Sequence, residues 1–295
     1  MTTIAVVAHR RKTLGGGLPE LRAVLEREGI GSPLWHEVPK SKRAPDAARA
    51  AVADGADLVF VWGGDGMVQR CVDALAGTGV AVAIIPAGTA NLLAGELGIP
   101  KDVSAAVDIG LRGRRGRFDV GVVNGERFAV MAGAGFDALM IKRAGRRMKD
   151  RVGRLAYVWT GARSLRIEPV KMRVEVDGEK WFKGRATCLL VGNIGTLMGG
   201  LTAFEGARPD DGVLDVGVVT ADGAWQWSRV LTRLARGRVE GSSFVRRTSG
   251  REIDVRLGRR LPYELDGGHR GRSKRLKIRV EPGAVEVCLP LDASP

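Results

Sequence analysis

The sequence has few features of a secreted or membrane-spanning protein. Its 295 residues include only three cysteines, Cys71, Cys188 and Cys288, an odd number at wide spacing within apolar runs. This pattern is typical of reduced, buried thiols, and it favours neither a disulfide framework nor a zinc site. No apolar run approaches the roughly 20 residues that a spanning helix needs, and the amino terminus has the pattern of a strand, not of a signal peptide. We therefore expect a cytoplasmic protein with at most peripheral membrane contact.

Aromatic residues are also scarce, whereas positive charge is abundant. The chain has two tyrosines and seven phenylalanines, and its 47 Lys and Arg against 33 Asp and Glu give a formal net charge of +14. Such a surplus favours anionic partners, namely nucleic acid, phosphorylated cofactors or an anionic lipid surface. No RNA-stacking motif or zinc knuckle is visible, so we expect no specific nucleic-acid partner.

The first 120 residues or so alternate between buried-strand and helical patterns. The apolar runs TIAVVA (3–8), DLVFVW (57–62) and VAVAII (80–85) predict strands, and helical spacing follows at 18–29, 66–77 and 90–100. On the helix at 66–77, Met67, Cys71 and Leu75 share one face. Strands alternating with helices predict βαβ units and a parallel sheet, whose ligands bind at the carboxyl ends of the strands.

The pattern changes after about residue 120. A hairpin is predicted around Asn124-Gly125, a long helix over about 136–166, a second hairpin at Asp177-Gly178, short alternating strands to the end, and one helix near 223–236. The predicted fold class is α/β + β, an N-terminal doubly wound, Rossmann-like domain followed by an antiparallel β-sandwich. We place the domains at 1–122 and 123–280, with 281–295 as a candidate to return to the first.

Two glycine-rich turns follow neighbouring predicted strands. GGDG (63–66) and PAGTAN (86–91) each join a strand to a helix, where glycines let backbone N–H groups approach an anion. Together they predict a polyphosphate site, to which Thr89 and Asn91 add hydrogen-bond donors. A carboxylate among phosphates needs a cation or a proton beside it. Asp65 therefore holds Mg²⁺, takes a proton from an attacking hydroxyl, or simply caps the helix.

The stretches VWGGDGMVQRCVDAL and PAGTANLLAGELGIP resemble the catalytic domain of diacylglycerol kinases and related bacterial lipid kinases, a group that includes sphingosine kinases. AHRRKTLGGG (8–17), GARPDDGVLDV (206–216) and ELDGGHR (264–270) extend the resemblance over nearly the whole chain. It implies an ATP-dependent kinase that phosphorylates a diacylglycerol-like lipid, with ATP in a cleft between the two domains.

The resemblance also implies a set of site residues. The ATP contacts would be His9, Ser41, Gly63, Gly64, Asp65, Gly66, Met67, Gly88, Thr89 and Asn91. The Mg²⁺ ligands would be the Asp211 carboxylate and the main-chain carbonyls of Arg208 and Val213, an oxygen-only set that suits this ion. Asp65 and Asp266 are the catalytic candidates.

Three positions depart from the family pattern. Met67 stands where the family usually has threonine, so that Met67→Thr would be expected to raise turnover by restoring a hydroxyl. His9 and Arg10 replace an Asn-Pro. Gly268 replaces the glutamate that many bacterial members use as proton acceptor, which leaves Asp266 and Asp65, with His269 adjacent. A loose phosphoryl-transfer transition state needs little base strength, so the kinase interpretation stands.

Two alternatives and several partners remain open. The segment 141–159 has a basic and an apolar side, which indicates either a domain-packing helix or a peripheral contact with an anionic membrane surface. A homodimer is also left open. An NAD kinase-like enzyme would share GGDG and the two-domain plan. A catalytically weak nucleotide- or lipid-binding regulator would account for Met67 and Gly268.

Overall fold

The computed structural model describes residues 2–135, 168–197, 201–235 and 242–292. The helix expected over about 136–166 and the basic segment 141–159 lie outside these residues. The described helices, all α-helices, are α1 (Gly17–Arg27), α2 (Ala44–Ala53), α3 (Asp65–Leu75), α4 (Leu92–Glu96), α5 (Val103–Arg112) and α6 (Gly223–Ala235). A short 3₁₀ helix spans Ser41–Arg43.

The amino-terminal half contains a parallel sheet of the predicted kind. Its strands are β1 (Ile4–His9), β2 (Leu34–Val38), β3 (Leu58–Gly63) and β4 (Ala81–Pro86), and they lie in the order β2-β1-β3-β4. Every residue of β3 and β4 is buried, which explains their continuous apolar runs. Helix α1 packs with α5 and α2 packs with α3, so that helices cover the sheet.

The rest of the described residues form a predominantly antiparallel region. Its strands are β5 (Arg114–Val123), β6 (Glu126–Phe128), β7 (Met131–Ala134), β8 (Val170–Val176), β9 (Glu179–Ala186), β10 (Cys188–Gly192), β11 (Thr196–Leu197), β12 (Leu201–Thr202), β13 (Leu214–Val219), β14 (Val245–Gly250), β15 (Glu252–Leu265) and β16 (Gly268–Leu289). The hairpins predicted at Asn124-Gly125 and Asp177-Gly178 are confirmed, and all four turn residues have positive φ. This backbone suits the right-handed twist of the paired strands. The predicted fold class, α/β followed by an antiparallel β region, is confirmed.

One strand joins the two parts. Strand β16 begins in the antiparallel region beside β15 and ends parallel to β4, where Glu286 pairs with Ala81 and Val287 with Val82. One core cluster fills the α/β part and a second fills the antiparallel part. The domain limits at 122 and 280 stay a prediction. Within the described ranges, no helix is long and apolar enough to cross a bilayer.

Candidate active site

The predicted loops meet at one edge of the parallel sheet. Strand β1 ends at His9, β3 at Gly63 and β4 at Pro86, and Gly63 pairs directly with Pro86. A Cβ on Gly63 would lie 3.9 Å from the Cβ of His9. The carboxyl ends of β1, β3 and β4 therefore bring both glycine loops and His9 together, as the parallel order requires.

Gly64 and Gly88 touch through their backbones. A Cβ on Gly88 would lie 2.3 Å from the Cα of Gly64 and 2.4 Å from Oδ1 of Asn91. A Cβ on Gly64 would lie 2.9 Å from the Cα of Gly88. Such distances exclude any side chain at position 88 without backbone movement. The contact holds the two loops together at the edge of the sheet, the kind of place where glycine-rich backbone can approach an anion.

Asp65 joins these two loops from the other side. Its Oδ2 accepts a hydrogen bond from the Asn91 N–H at 2.9 Å, and its Oδ1 accepts one from the Leu92 N–H. Both donors stand at the amino terminus of α4, where the helix dipole favours a negative charge. Of the three roles left open by the sequence, capping takes a different form, because Asp65 caps α4 and not its own helix. Each carboxylate oxygen retains a second lone pair for a cation or a proton.

Asn91 fixes the second loop from within. It is 4% exposed and adopts the left-handed conformation with φ 51°. Its Oδ1 accepts from the Gly88 N–H at 2.9 Å, and its Nδ2 donates to the carbonyls of Pro86 and Gly88 at 3.0 and 2.9 Å. The amide is therefore used inside the loop, so its contribution to a nucleotide site is to hold the shape of that loop.

Met67 lies beneath the GGDG loop. Its side chain is 2% exposed and its N–H donates to the Gly64 carbonyl at 2.7 Å. A Cβ on Gly63 would lie 2.5 Å from the Cβ of Met67, so Gly63 is small because Met67 packs against it. The expectation that the side chain at position 67 faces phosphate is therefore corrected. The position belongs to the core.

Because position 67 is buried, we no longer expect Met67→Thr to raise turnover. We expect it to destabilise the protein. The substitution should lower the free energy of unfolding by about 2–4 kcal/mol, because it leaves a cavity and buries a hydroxyl. Urea unfolding of the variant and of Met67→Leu provides the measurement. The leucine variant conserves volume and should cost less than about 1.5 kcal/mol. Equal stability of the threonine variant and the parent would show that position 67 is not buried in solution.

Asp266 occupies the turn between β15 and β16. Its carboxylate accepts hydrogen bonds from the N–H groups of Ala129, Val130 and Met131 at 2.8, 2.9 and 2.8 Å, and its own N–H donates to the Met131 carbonyl. Burial is the main cause that raises the pKa of Asp266 to about 6; the three donors lower it in part, and the charge of Asp65 raises it further. The two catalytic candidates are thus close enough to interact.

The acidic turn also brings together residues that sequence reasoning missed. Arg270 donates through Nε to Oε1 of Glu126 and through Nη2 to Oε1 of Gln69, the latter at 3.0 Å. Gln69 is itself 2% exposed and donates to the Arg127 carbonyl at 2.6 Å. In sequence, the visible signal was a glutamine one helical turn after Asp65 on α3, and it did not identify its partners.

The loop proposed for Mg²⁺ is anchored on a buried carboxylate. Asp119, 3% exposed, accepts from the Gly212 and Gly283 N–H groups, each at 2.7 Å. Oδ1 of Asp211 accepts a hydrogen bond from the Val213 N–H at 3.1 Å. Burial raises the pKa of Asp215, and the negative charge of Asp211 raises it further. One carboxylate and two main-chain carbonyls are a hard-oxygen donor set that fits Mg²⁺. The described residues contain no cluster of three or more His, Cys, Asp or Glu suited to a metal.

The remaining candidates are His9, Thr89 and Ser41. Nδ1 of His9 accepts from the Arg11 N–H at 3.2 Å, and burial, followed by the charges of Lys12 and Arg11, lowers the pKa of His9 against a raising backbone hydrogen bond. Thr89 is exposed at its loop, and its carbonyl accepts from Lys101 Nζ at 3.2 Å. Ser41 begins the 3₁₀ helix, which packs against α3.

Comparison with known proteins covers both parts of the chain. Residues 14–123 match the diacylglycerol kinase catalytic domain, and residues 130–289 match the YegS C-terminal NAD kinase beta sandwich-like domain. The chain is 35% identical over 213 residues to a protein named diacylglycerol kinase from Mycobacterium tuberculosis, covering 70% of this chain and 69% of that protein.

Solved structures share the fold. A crystal structure of a diacylglycerol kinase from Bacillus anthracis superimposes with a TM-score of 0.77 at 19% identity, covering 99% of this chain and 98% of the other. An NAD kinase from Archaeoglobus fulgidus in complex with ATP gives a TM-score of 0.57 at 11% identity, with 97% and 93% covered. Both agree with an α/β part followed by a β part.

Proposed function

The chain belongs to the diacylglycerol kinase family, and from that membership and its site we propose that it transfers the γ-phosphate of ATP to the hydroxyl of a diacylglycerol-like lipid. One observation carries the proposal: the two glycine loops meet at the Gly64–Gly88 backbone contact, are tied by Asp65, and lie within electrostatic reach of the Asp266 turn. Phosphoryl transfer depends mainly on positioning and charge stabilisation, and this arrangement supplies a rigid seat for the phosphates.

Magnesium fits the same scheme. The Asp211 carboxylate and the Arg208 and Val213 carbonyls would hold the ion, and when bound it would neutralise phosphate charge. Within this chain, the Asp119 hydrogen bonds to Gly212 and Gly283 keep that loop in place.

Proton handling falls to Asp266 in this scheme. As the lipid hydroxyl oxygen bonds to the γ-phosphorus, the bond from phosphorus to the β,γ-bridging oxygen breaks and ADP leaves. We assign the hydroxyl proton to the Asp266 carboxylate, whose pKa of about 6 keeps it ionised yet basic near neutral pH. Asp65 maintains the loop geometry through its two N–H donors.

A regulator without turnover is the second candidate. Its support is that Asp65 and Asp266 together accept five backbone hydrogen bonds, so that both carboxylates are engaged in holding loops in place. Transfer of radiolabelled phosphate from ATP distinguishes the candidates, with diacylglycerol in mixed micelles and NAD as parallel acceptors. Labelled lipid supports the proposal, labelled NADP identifies an NAD kinase, and ATP binding without a labelled product identifies a regulator.

We also propose a peripheral, cytoplasmic contact with an anionic membrane surface. Four basic residues lie in register on four adjacent strands and therefore share one sheet face: Lys183, Arg173, Arg256 and Arg275. Glu175 and Asp254 offset this charge only in part, because Asp254 alone faces both Arg256 and Arg275. Opposed like charges destabilise a sheet, and an anionic surface would relieve that repulsion.

We expect binding to vesicles that contain anionic lipid, and this binding should weaken as salt is added. Each basic residue near the surface contributes about 1 kcal/mol, so neutralising Lys183 and Arg256 with glutamine should weaken binding about tenfold or more. Sedimentation with vesicles measures it, and Arg27→Gln/Arg49→Gln is a control with equal charge loss. Equal loss in both double variants would exclude this sheet face as the contact.

A further inference from the structure

Arg270 is clamped beside the acidic turn. Its side chain is 11% exposed. Nε donates to Glu126 and Nη2 donates to Gln69, so that two edges of the planar guanidinium are fixed by partners on β6 and α3. A guanidinium held in this way loses little rotational freedom when it binds a further group.

The third edge of Arg270 faces Gly268. A Cβ on Gly268 would lie 2.4 Å from Nη1 of Arg270. Gly268 is not among the positive-φ residues, so its missing side chain reflects space and not backbone conformation. Within the described ranges, Arg270 donates hydrogen bonds through Nε and Nη2 but not through Nη1. The guanidinium therefore fills the volume that a side chain at position 268 would take and keeps one donor edge available.

The Nη1 edge of the Arg270 guanidinium lies near the glycine loops. Gln69, which holds Nη2, lies four residues after Asp65 on α3 and thus on the same side of the helix. Asp266, two residues before Gly268, experiences the charge of Asp65. The cation is therefore placed between the acidic turn and the helix that carries the GGDG loop.

We propose that Arg270 binds the polyphosphate of the nucleotide through Nη1, so that this chain places a cation where the turn would otherwise carry a side chain. The proposal rests on the proposed function, because it needs a nucleotide at the glycine loops. Arginine suits phosphate oxygens in charge and in fork geometry, and partial burial strengthens the interaction.

Calorimetric titration with ATP, ADP and AMP tests this assignment. Arg270→Gln should weaken ATP binding about ten- to hundredfold while changing AMP binding less than about twofold, because only the phosphate chain reaches Nη1. Arg270→Lys should recover part of the loss. The control is Arg127→Gln, which also removes an ion-paired arginine beside α3, and its ratio of ATP to AMP affinity should stay that of the parent.

Gly268→Ala covers the case in which Arg270→Gln does not fold. It retains every charged group, but its Cβ displaces Nη1, so the ATP to AMP ratio should fall there too. Equal weakening of ATP and AMP, or an unchanged ratio in Arg270→Gln and Gly268→Ala, would overturn the inference. A parent protein that binds none of the three nucleotides would instead contradict the proposed function.

Discussion

Gly88→Ala is expected to lower ATP affinity and phosphoryl transfer by about a hundredfold or more. The added methyl group would lie 2.3 Å from the Cα of Gly64, so the clash is with backbone and no rotamer can relieve it. The two loops must separate by an appreciable fraction of an ångström, which also strains the Asn91 bond to the Gly88 N–H. Misplacement of reacting groups by about 1 Å can reduce rates a hundredfold.

Initial rates against ATP concentration, with diacylglycerol in mixed micelles, measure this effect. Gly95→Ala is the matched control, because Gly95 lies in α4 with nothing within 4 Å of an added Cβ. That variant should keep parental activity and, as a glycine-to-alanine change in a helix, gain slight stability. If Gly88→Ala and Gly95→Ala behave alike, the loop contact is not part of the working site.

The glycine loops could be located from sequence because their signal is local. Each follows a buried strand and precedes a helix, and parallel order then requires both at the same sheet edge. The hairpins at Asn124-Gly125 and Asp177-Gly178 were predictable for the same reason. Helix α5 was missed, although Asp102 caps it by accepting from the Ala105 N–H at 2.8 Å and marks its start.

Met67 shows two sequence signals in conflict. Its helical spacing with Cys71 and Leu75 predicted a core face, whereas the resemblance suggested a phosphate contact. The structure agrees with the spacing, since all three side chains are buried. A family position transfers a backbone location, but the side chain at that location follows the packing of this chain.

The Arg270 network could not be predicted from sequence in the same way. Gln69 and Arg270 are 201 positions apart, and Glu126 lies on a third element. No local spacing relates them, because their proximity depends on how β16 passes α3. The absence of a carboxylate at Gly268 was visible in sequence, but the cation that fills its place was not.

Asp65→Asn should reduce phosphoryl transfer by about a hundredfold or more while the protein stays folded. The substitution removes the negative charge that would face a cation or a proton during transfer. It also turns one acceptor oxygen into an NH₂ group opposite the N–H of Asn91 or Leu92. One of those two hydrogen bonds must be lost, so α4 and the second glycine loop move relative to GGDG. Changes of this kind at a charge-stabilising site commonly cost a factor of 10² to 10³ in rate.

Asp102→Asn is the control for Asp65→Asn, because Asp102 is also a carboxylate that caps a helix, α5, at an exposed position. Asparagine caps helices about as well as aspartate, so this variant should keep both its stability and its turnover. Phosphate transfer and circular dichroism melting would be measured on both variants. A large loss of rate in Asp65→Asn with little change in melting would place Asp65 in the reaction. Parental turnover in Asp65→Asn would mean that the carboxylate is only one helix cap among others and that the phosphates bind elsewhere.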